Sequence, residues 1–180
     1  MGSRLFVGLP VAPEFMARVE AWKAGHEGWP VYWVRPQDLH VTLVPPWEEA
    51  AVDEVVLKLS KVKAEAFGLK FTQISFGPES AKPARLLWAL GAKTSGLFEL
   101  RTRLFEALGQ QPDARPFLPH VTLARFGPQN YFQIPDACLP QKVAWQIQAE
   151  KFGLYESVLN RTGARYRILH EFPLQSGLRS

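Results

Sequence analysis

The tetrapeptide His-Val-Thr-Leu occurs twice in the 180-residue chain, first from His40 and again from His120. Side chains two residues apart in a strand point to the same face, so we expect His40 beside Thr42 and His120 beside Thr122. An imidazole takes or gives a proton near neutral pH, and a hydroxyl hydrogen-bonds an anion. Two such pairs facing each other could carry out acid–base chemistry on a phosphate group.

A second similarity accompanies this repeat. The sequence RLFVGL at Arg4 to Leu9 resembles RLLWAL at Arg85 to Leu90, with an offset of 81 residues, while the two HVTL copies are 80 apart. With only four histidines in the chain, a chance second copy is very improbable. Each half is therefore predicted to run strand, helix, HVTL strand. Duplicated units tend to pair about an approximate twofold axis, which predicts that the two polar faces meet across a central cleft.

Hydrophobic periodicity predicts the elements that position these motifs. A first helix is expected after Pro13, and another is expected over the leucines from Leu97 to Leu108, ending near Gly109. A further helix is expected over residues 48–66. Strands are expected over residues 69–76, 143–158 (bent at Gly153) and 166–172.

Composition excludes several classes of protein. The chain has 47% apolar and 21% charged residues and a net charge of +4, which is typical of a soluble globular protein. Its modest positive charge suits an anionic substrate, yet it has no block of basic residues for duplex DNA or a membrane surface. The expectation is one domain over residues 1–180 that is cytoplasmic and monomeric, with no membrane span and no signal peptide.

Metal and thiol chemistry are not expected. Neither HVTL motif carries an acidic neighbour on the face of its histidine, so no metal and no cofactor are predicted. His26 and His170 stand apart from the motifs and are expected to be structural. Cys138 is the single cysteine and is expected to be inert.

The longer segments RPQDLHVTL, RPFLPHVTLAR and LYESVL, with the opening RLFVGLPV, resemble the 2H phosphoesterase superfamily. Within it, the similarity is to the RNA 2′,3′-cyclic phosphodiesterases, long labelled 2′-5′ RNA ligases, and it covers essentially the whole chain. It implies an α+β fold of two pseudo-symmetric lobes, each an antiparallel sheet with helices packed outside, around a central cleft. It also implies metal-independent opening of a 2′,3′-cyclic phosphate, at an RNA end or in a small cyclic nucleotide, to a 2′-phosphate.

The resemblance also implies residue roles. His40 would donate a proton to the leaving 3′ oxygen, and His120 would accept one and so activate water. Thr42 and Thr122 would bind the phosphate. Arg125 matches a common arginine after the second motif, but strict alternation turns it away from the face of His120, so a phosphate-binding role requires a twist or a bulge.

One segment departs from the family pattern. Leu43 is followed by Val44–Trp47 (VPPW), where family members usually have a Phe-Leu-Gly-like turn, and the departure concerns the cleft rim on that side. Phe6, Trp33 and Trp47 are candidate aromatic platforms for RNA bases. Two alternatives to hydrolysis stay open: the same site run in reverse as a 2′-5′ ligase, and a non-catalytic module that binds RNA ends.

Overall fold

The computed structural model describes residues 2–78, 83–135, 139–160 and 163–176, so Cys138 lies outside the described residues. Within these ranges the chain forms a nine-stranded antiparallel sheet and three α-helices. The strands are β1 (Ser3–Pro10), β2 (Tyr32–Trp33), β3 (His40–Glu49), β4 (Phe67–Gly77), β5 (Leu86–Gly91), β6 (His120–Arg125), β7 (Gln141–Ala149), β8 (Lys151–Asn160) and β9 (Gly163–Pro173). The helices are α1 (Pro13–Ala24), α2 (Val52–Leu59) and α3 (Ser95–Leu108).

The strand order places the two HVTL strands in the middle of the sheet. It runs β7-β4-β5-β6-β3-β1-β8-β9, and β2 pairs with the end of β6. Val41 of β3 pairs with Val121 of β6. The strands on the two sides of this pair correspond. In the first half β3 is followed across the sheet by β1 and then β8, and in the second half β6 is followed by β5 and then β4. The α+β fold class predicted from the sequence is confirmed, whereas the single domain over residues 1–180 stays a prediction.

Strand registers show how the two halves correspond. Gly8 pairs with Thr42, and Trp88 pairs with Thr122, so equivalent positions are 80 residues apart in the first strand as in the HVTL strand. The similarity between RLFVGL and RLLWAL, at an offset of 81, therefore differs by one residue from the offset of 80 that relates equivalent positions in the structure. As a result, Gly8 occupies the position that Trp88 occupies in the other half.

The helices cover the face of the sheet opposite to the motif side chains. Val41 and Leu43 alternate with His40 and Thr42 along β3 and are buried in the core. Phe15 of α1 packs on Phe71 of β4, with ring centroids 4.9 Å apart. The burial of this face leaves the histidine face open for a ligand.

The predicted strand over residues 143–158 is wrong. The chain instead forms two strands, β7 and β8, which are separated at Glu150 rather than bent at Gly153. β7 pairs with β4 and β8 pairs with β1, in opposite halves of the sheet. A single connecting residue can join them only because the sheet curls and brings its two ends close together.

The predicted helix over residues 48–66 is also too long, since α2 covers only Val52–Leu59. At its start, Glu48 and Glu49 belong to β3 and pair with Arg4 and Ser3 of β1. At its end, the chain leaves the helix and the backbone N–H of Ala66 donates to the carbonyl of Gln175. Pairing with distant strands thus overrides local helical periodicity.

The other two helices are confirmed. α1 begins at Pro13, whose missing N–H costs nothing in the first turn. α3 begins after Thr94, whose hydroxyl accepts a hydrogen bond from the Leu97 N–H, and it ends at Gly109. Gly109 has a φ of 66°, the left-handed conformation that glycine adopts without strain.

Candidate active site

A cavity of about 330 Å³ opens on the histidine face, where β3 and β6 meet. His40, Thr42, His120, Thr122 and Arg125 all line it. The fold thus brings together, in one cavity, the five residues that the sequence singled out.

The pairing of Val41 with Val121 sets the arrangement of the motif residues. In an antiparallel pair with this register, His40 lies across from Thr122 and Thr42 lies across from His120. Directly opposed residues have Cβ atoms about 5 Å apart. Each histidine is therefore next to the threonine of the other half, and the four side chains surround one point.

Both imidazoles are held in the same way. The Nδ1 atom of His40 lies 2.7 Å from the backbone oxygen of Asp38, and that of His120 lies 2.8 Å from the backbone oxygen of Leu118. A carbonyl oxygen only accepts, so each Nδ1 donates and carries the proton. In the neutral ring, Nε2 then presents a lone pair, which is the requirement for a general base.

The residues that hold His40 include an ion pair between a buried carboxylate and a partly exposed arginine. The Asp38 carboxylate is almost fully buried and accepts hydrogen bonds from Arg35, at 2.6 Å from Nε and 3.1 Å from Nη2. This pair fixes the turn whose carbonyl orients the His40 ring. A buried carboxylate that lost this partner would be strongly destabilising.

The two rings differ in what they rest on. His120 stacks on the indole of Trp88, with centroids 3.9 Å apart and planes at 24°. His40 instead contacts Phe6 at 4.8 Å and the edge of Tyr166 at 4.9 Å. Gly8, at the position equivalent to Trp88, lies close to the strand and ring of His40: a Cβ there would lie 3.0 Å from the Val41 oxygen and 3.4 Å from Cδ2 of His40. The approximate symmetry therefore ends at the walls of the site.

Burial lowers the pKa of both histidines. The pKa of His40 is lowered to about 4: desolvation is the largest cause, the hydrogen bond to the Asp38 carbonyl opposes it, and the charges of Arg125 and His120 act in the same direction as desolvation. For His120 desolvation also lowers the pKa, against the effect of the Leu118 carbonyl. Both rings are consequently neutral at pH 7 in the free protein.

Arg125 reaches the cavity because of a β-bulge. The register between β5 and β6 shifts by one residue between Leu87 and Trp88, so Leu123 is the extra residue on β6. This extra residue reverses the alternation and turns Arg125 onto the face of His120. There its Nη2 donates to the Tyr166 hydroxyl over 2.8 Å.

The segment that departs from the family pattern is part of β3. One register shift between β1 and β3 falls at Pro45 and Pro46, where the irregular pairing tolerates residues without an N–H. Pro46 lines the cavity, and Trp47 packs against the core. This rim is therefore a bulged strand.

The remaining sequence candidates fall into two groups. Phe6 lines the cavity, although it is 2% exposed and serves as a wall for His40, whereas Trp33 lies in a neighbouring cavity. Nδ1 of His26 lies 2.7 Å from the Trp22 carbonyl oxygen, and the tilted ring of His170 contacts Phe172, with ring centroids 4.6 Å apart. Neither of these histidines lines the candidate site.

Sequence reasoning missed several residues of the site. Arg4, Ser157 and Tyr166 line the cavity, and Trp88 supports His120. The only signal for Trp88 is its position in the RLLWAL repeat. Tyr166 comes from β9, which pairs with β8 near the far edge of the sheet, and no local pattern marks it.

Across the described ranges, no three or more His, Cys, Asp or Glu side chains cluster in a way that could hold a metal ion. In the same ranges, no helix is long and apolar enough to cross a membrane.

A curled antiparallel sheet with two His-x-Thr pairs facing one cavity is the arrangement of the 2H phosphoesterases. The family model for the 2′-5′ RNA ligase superfamily matches residues 11–153, and the chain belongs to that family. The family expected from the sequence motifs is thereby confirmed.

Individual relatives extend the likeness over most of the chain. An RNA 2′,3′-cyclic phosphodiesterase of Geobacillus stearothermophilus is 31% identical over 70% of this chain, which spans only 46% of that relative's length. One of Bacillus subtilis is 29% identical over 94% of this chain and 95% of its own. The crystal structure of E. coli LigT with 3′-AMP is 26% identical, with a TM-score of 0.76 over 97% of this chain and 99% of the other.

Proposed function

We propose that the protein hydrolyses 2′,3′-cyclic phosphate ends of RNA to 2′-phosphomonoesters by acid–base catalysis with His40 and His120. The observation that carries the proposal is that both histidines line one cavity, each with Nδ1 bound to a backbone carbonyl. Nε2 of each ring is thereby the atom left for chemistry. The names of the Geobacillus and Bacillus relatives, and the nucleotide bound to the E. coli protein, support the same substrate class.

The reaction needs one proton acceptor and one proton donor on opposite sides of phosphorus. His120 removes a proton from water as the water oxygen forms its bond to phosphorus. The bond between phosphorus and O3′ breaks, and the imidazolium of His40 protonates O3′. The product carries a 3′-hydroxyl and a 2′-phosphate, and the two rings have exchanged protonation states.

The threonines and Arg125 address the charge on the phosphate. Thr42 and Thr122 lie beside the histidines and can donate hydroxyl protons to the non-bridging oxygens. Arg125 adds a full positive charge at the same cavity, where partial exclusion of water strengthens its effect. These groups bind the anion and stabilise the charge that develops on its oxygens.

Substrate binding supplies the acid. Both rings are neutral in the free protein because burial lowers their pKa values, to about 4 for His40. A phosphodiester anion between the rings favours an imidazolium, because an opposite charge nearby raises the pKa of a histidine. The proton needed by O3′ is therefore taken up together with the anionic substrate.

The proposal is tested by incubating the protein with an oligoribonucleotide ending in a 2′,3′-cyclic phosphate, in excess chelator. Mass spectrometry should show the gain of one water, and phosphatase should then remove the new monoester. Chromatographic comparison with synthetic 2′- and 3′-phosphate standards locates the phosphate on O2′ or O3′. Binding without turnover would instead support the RNA-end binding module, and a requirement for added divalent metal would overturn the two-histidine mechanism.

A further inference from the structure

A second cavity of about 330 Å³ adjoins the candidate active site. The two cavities share Arg125, Ala164 and Tyr166. The other walls of the second cavity come from residues 31–35, Asp38 and Arg165. The volume of each cavity is at the lower end of the range that holds one small ligand. A ligand with two nucleotide-sized parts therefore fits the two cavities together better than it fits one cavity alone.

Positive charge is concentrated in these two cavities. Among the residues that the structure describes, four arginines and one carboxylate line them, an excess of three positive charges in a chain whose whole net charge is +4. Arg35 neutralises Asp38 through two hydrogen bonds. Arg165 lies 4.0 Å from the same carboxylate, beyond hydrogen-bond distance, so its charge is available to a ligand in the second cavity.

An exposed aromatic ring stands at the edge of the second cavity. Tyr32 is 71% exposed and pairs across the strands with Arg125, which lines both cavities. An aromatic side chain this exposed contributes little to the core. Its flat face beside an arginine is a surface on which a nucleobase can stack.

We propose that the second cavity binds the nucleotide on the 5′ side of the cyclic-phosphate end, so that the enzyme recognises an RNA strand rather than a mononucleotide. Arg165 holds the phosphate that joins the last two nucleotides, and the base of the penultimate nucleotide stacks on Tyr32. The proposal rests on the proposed function. With the cyclic phosphate between the histidines, the chain of the RNA continues from the 5′ oxygen of the last ribose into the adjoining cavity.

Three substrates separate these contacts: adenosine 2′,3′-cyclic phosphate, its 5′-phosphorylated form, and the dinucleotide ApA ending in a 2′,3′-cyclic phosphate. The wild-type kcat/KM should rise about tenfold when the 5′-phosphate is added, through the charge of Arg165. It should rise about tenfold again for the dinucleotide, through stacking on Tyr32.

Two variants assign each step of this increase. Arg165→Gln should abolish the gain from the 5′-phosphate, and Tyr32→Ala should abolish only the further gain from the second nucleoside. Controls matched in residue type are Arg18→Gln on the exposed face of α1 and Phe132→Ala, whose ring is 81% exposed; neither residue lines either cavity. The controls should keep the wild-type ratios among the three substrates.

The outcomes distinguish the two proposals. If the wild-type protein turns over none of the three substrates, the proposed function fails. If it turns over all three with equal kcat/KM, or if Arg165→Gln and Tyr32→Ala keep the wild-type ratios, the hydrolase stands and the second subsite is wrong. Because both side chains are on or near the surface, circular dichroism should show that the two variants fold, and the comparison then depends on binding alone.

Discussion

Val41 pairs directly with Val121, and the two valines lie at the centre of the approximate twofold relation between the halves of the sheet. Both are fully buried, so the pair packs under the site while the residues on either side of each valine face the cavity. One strand pairing thus brings together two motifs that are 80 residues apart in the sequence.

Replacing either motif histidine should remove most of the turnover. Asparagine is the useful substitution, because its side-chain N–H₂ can keep the hydrogen bond that Nδ1 makes to the backbone oxygen of Asp38 or Leu118. We expect His40→Asn and His120→Asn each to lower kcat by about 10²- to 10⁴-fold. The double variant should lose little more activity than the less active of the two single variants. Single-turnover assays on a cyclic-phosphate oligonucleotide measure this loss. Near-full turnover by the His120→Asn variant would exclude His120 as the general base.

The pH dependence should be bell-shaped and displaced to acid. The reactive form carries one proton on the pair of rings, and burial lowers the pKa of both, to about 4 for His40. In kcat/KM, which reports the free enzyme, both limbs should therefore lie below the ordinary histidine pKa of about 6.5. In kcat both limbs should move to higher pH, because the bound phosphate anion raises the pKa of each ring.

A pH series of initial rates from 3.5 to 9, at low and at saturating substrate, separates the two profiles. Stability must be checked at each pH, so that loss of folded protein is not taken for loss of catalysis. A kcat/KM maximum above pH 7.5 would show that the rings are not neutral in the free protein.

The two threonines should contribute similarly and less than the histidines. Thr→Val keeps the shape of the side chain and removes the hydroxyl, so it tests the bond to a phosphate oxygen. Thr42→Val and Thr122→Val should each lower kcat/KM by about 5- to 150-fold, which corresponds to about 1–3 kcal/mol of lost transition-state stabilisation. Unequal losses of more than tenfold between the two would show that the phosphate does not lie midway between the motifs. Thr102→Val is a suitable control, since Thr102 is an exposed residue of α3.

Arg125 should affect both binding and the protonation of His40. Its charge lowers the pKa of His40, so Arg125→Gln should move the acid limb of kcat/KM to higher pH. The lost bond to phosphate should raise KM by about ten- to a hundredfold. Tyr166→Phe is the matched control, because it removes only the hydroxyl that accepts from Arg125. A shift of the acid limb in Tyr166→Phe equal to that in Arg125→Gln would assign the effect to the Arg125–Tyr166 hydrogen bond rather than to the charge of Arg125.

His40 should make the protein less stable in acid. Its pKa is lowered to about 4 in the folded state and returns to about 6.5 on unfolding, so the unfolded chain binds more protons between these pH values. Stability therefore falls as the pH drops through this window, by about 2 kcal/mol from His40 between pH 7 and pH 5. Urea unfolding at both pH values measures the change. His40→Asn should lose less stability than wild type over the same interval, and an equal loss in both would contradict the assignment.

The sequence was sufficient for the elements whose signals are local. α1 and α3 follow from apolar spacing with Pro13 at the start of one and Gly109 at the end of the other. It was insufficient where distant strands compete with local preference. Glu48 lies in β3 because it pairs with Arg4, and β7 ends at Ala149 because the chain that follows pairs with the other half of the sheet.

For the site, the sequence by itself determined which residues share a face: the two-residue spacing of His40 with Thr42, and of His120 with Thr122, follows from the geometry of any strand. Only the tertiary structure decided what surrounds them. Arg125 enters the cavity through a bulge that breaks the alternation, and Tyr166 arrives from β9 near the far edge of the sheet. Local spacing fixes the direction of a side chain within its own strand, whereas bulges and strand order are set by pairing between segments far apart in the chain.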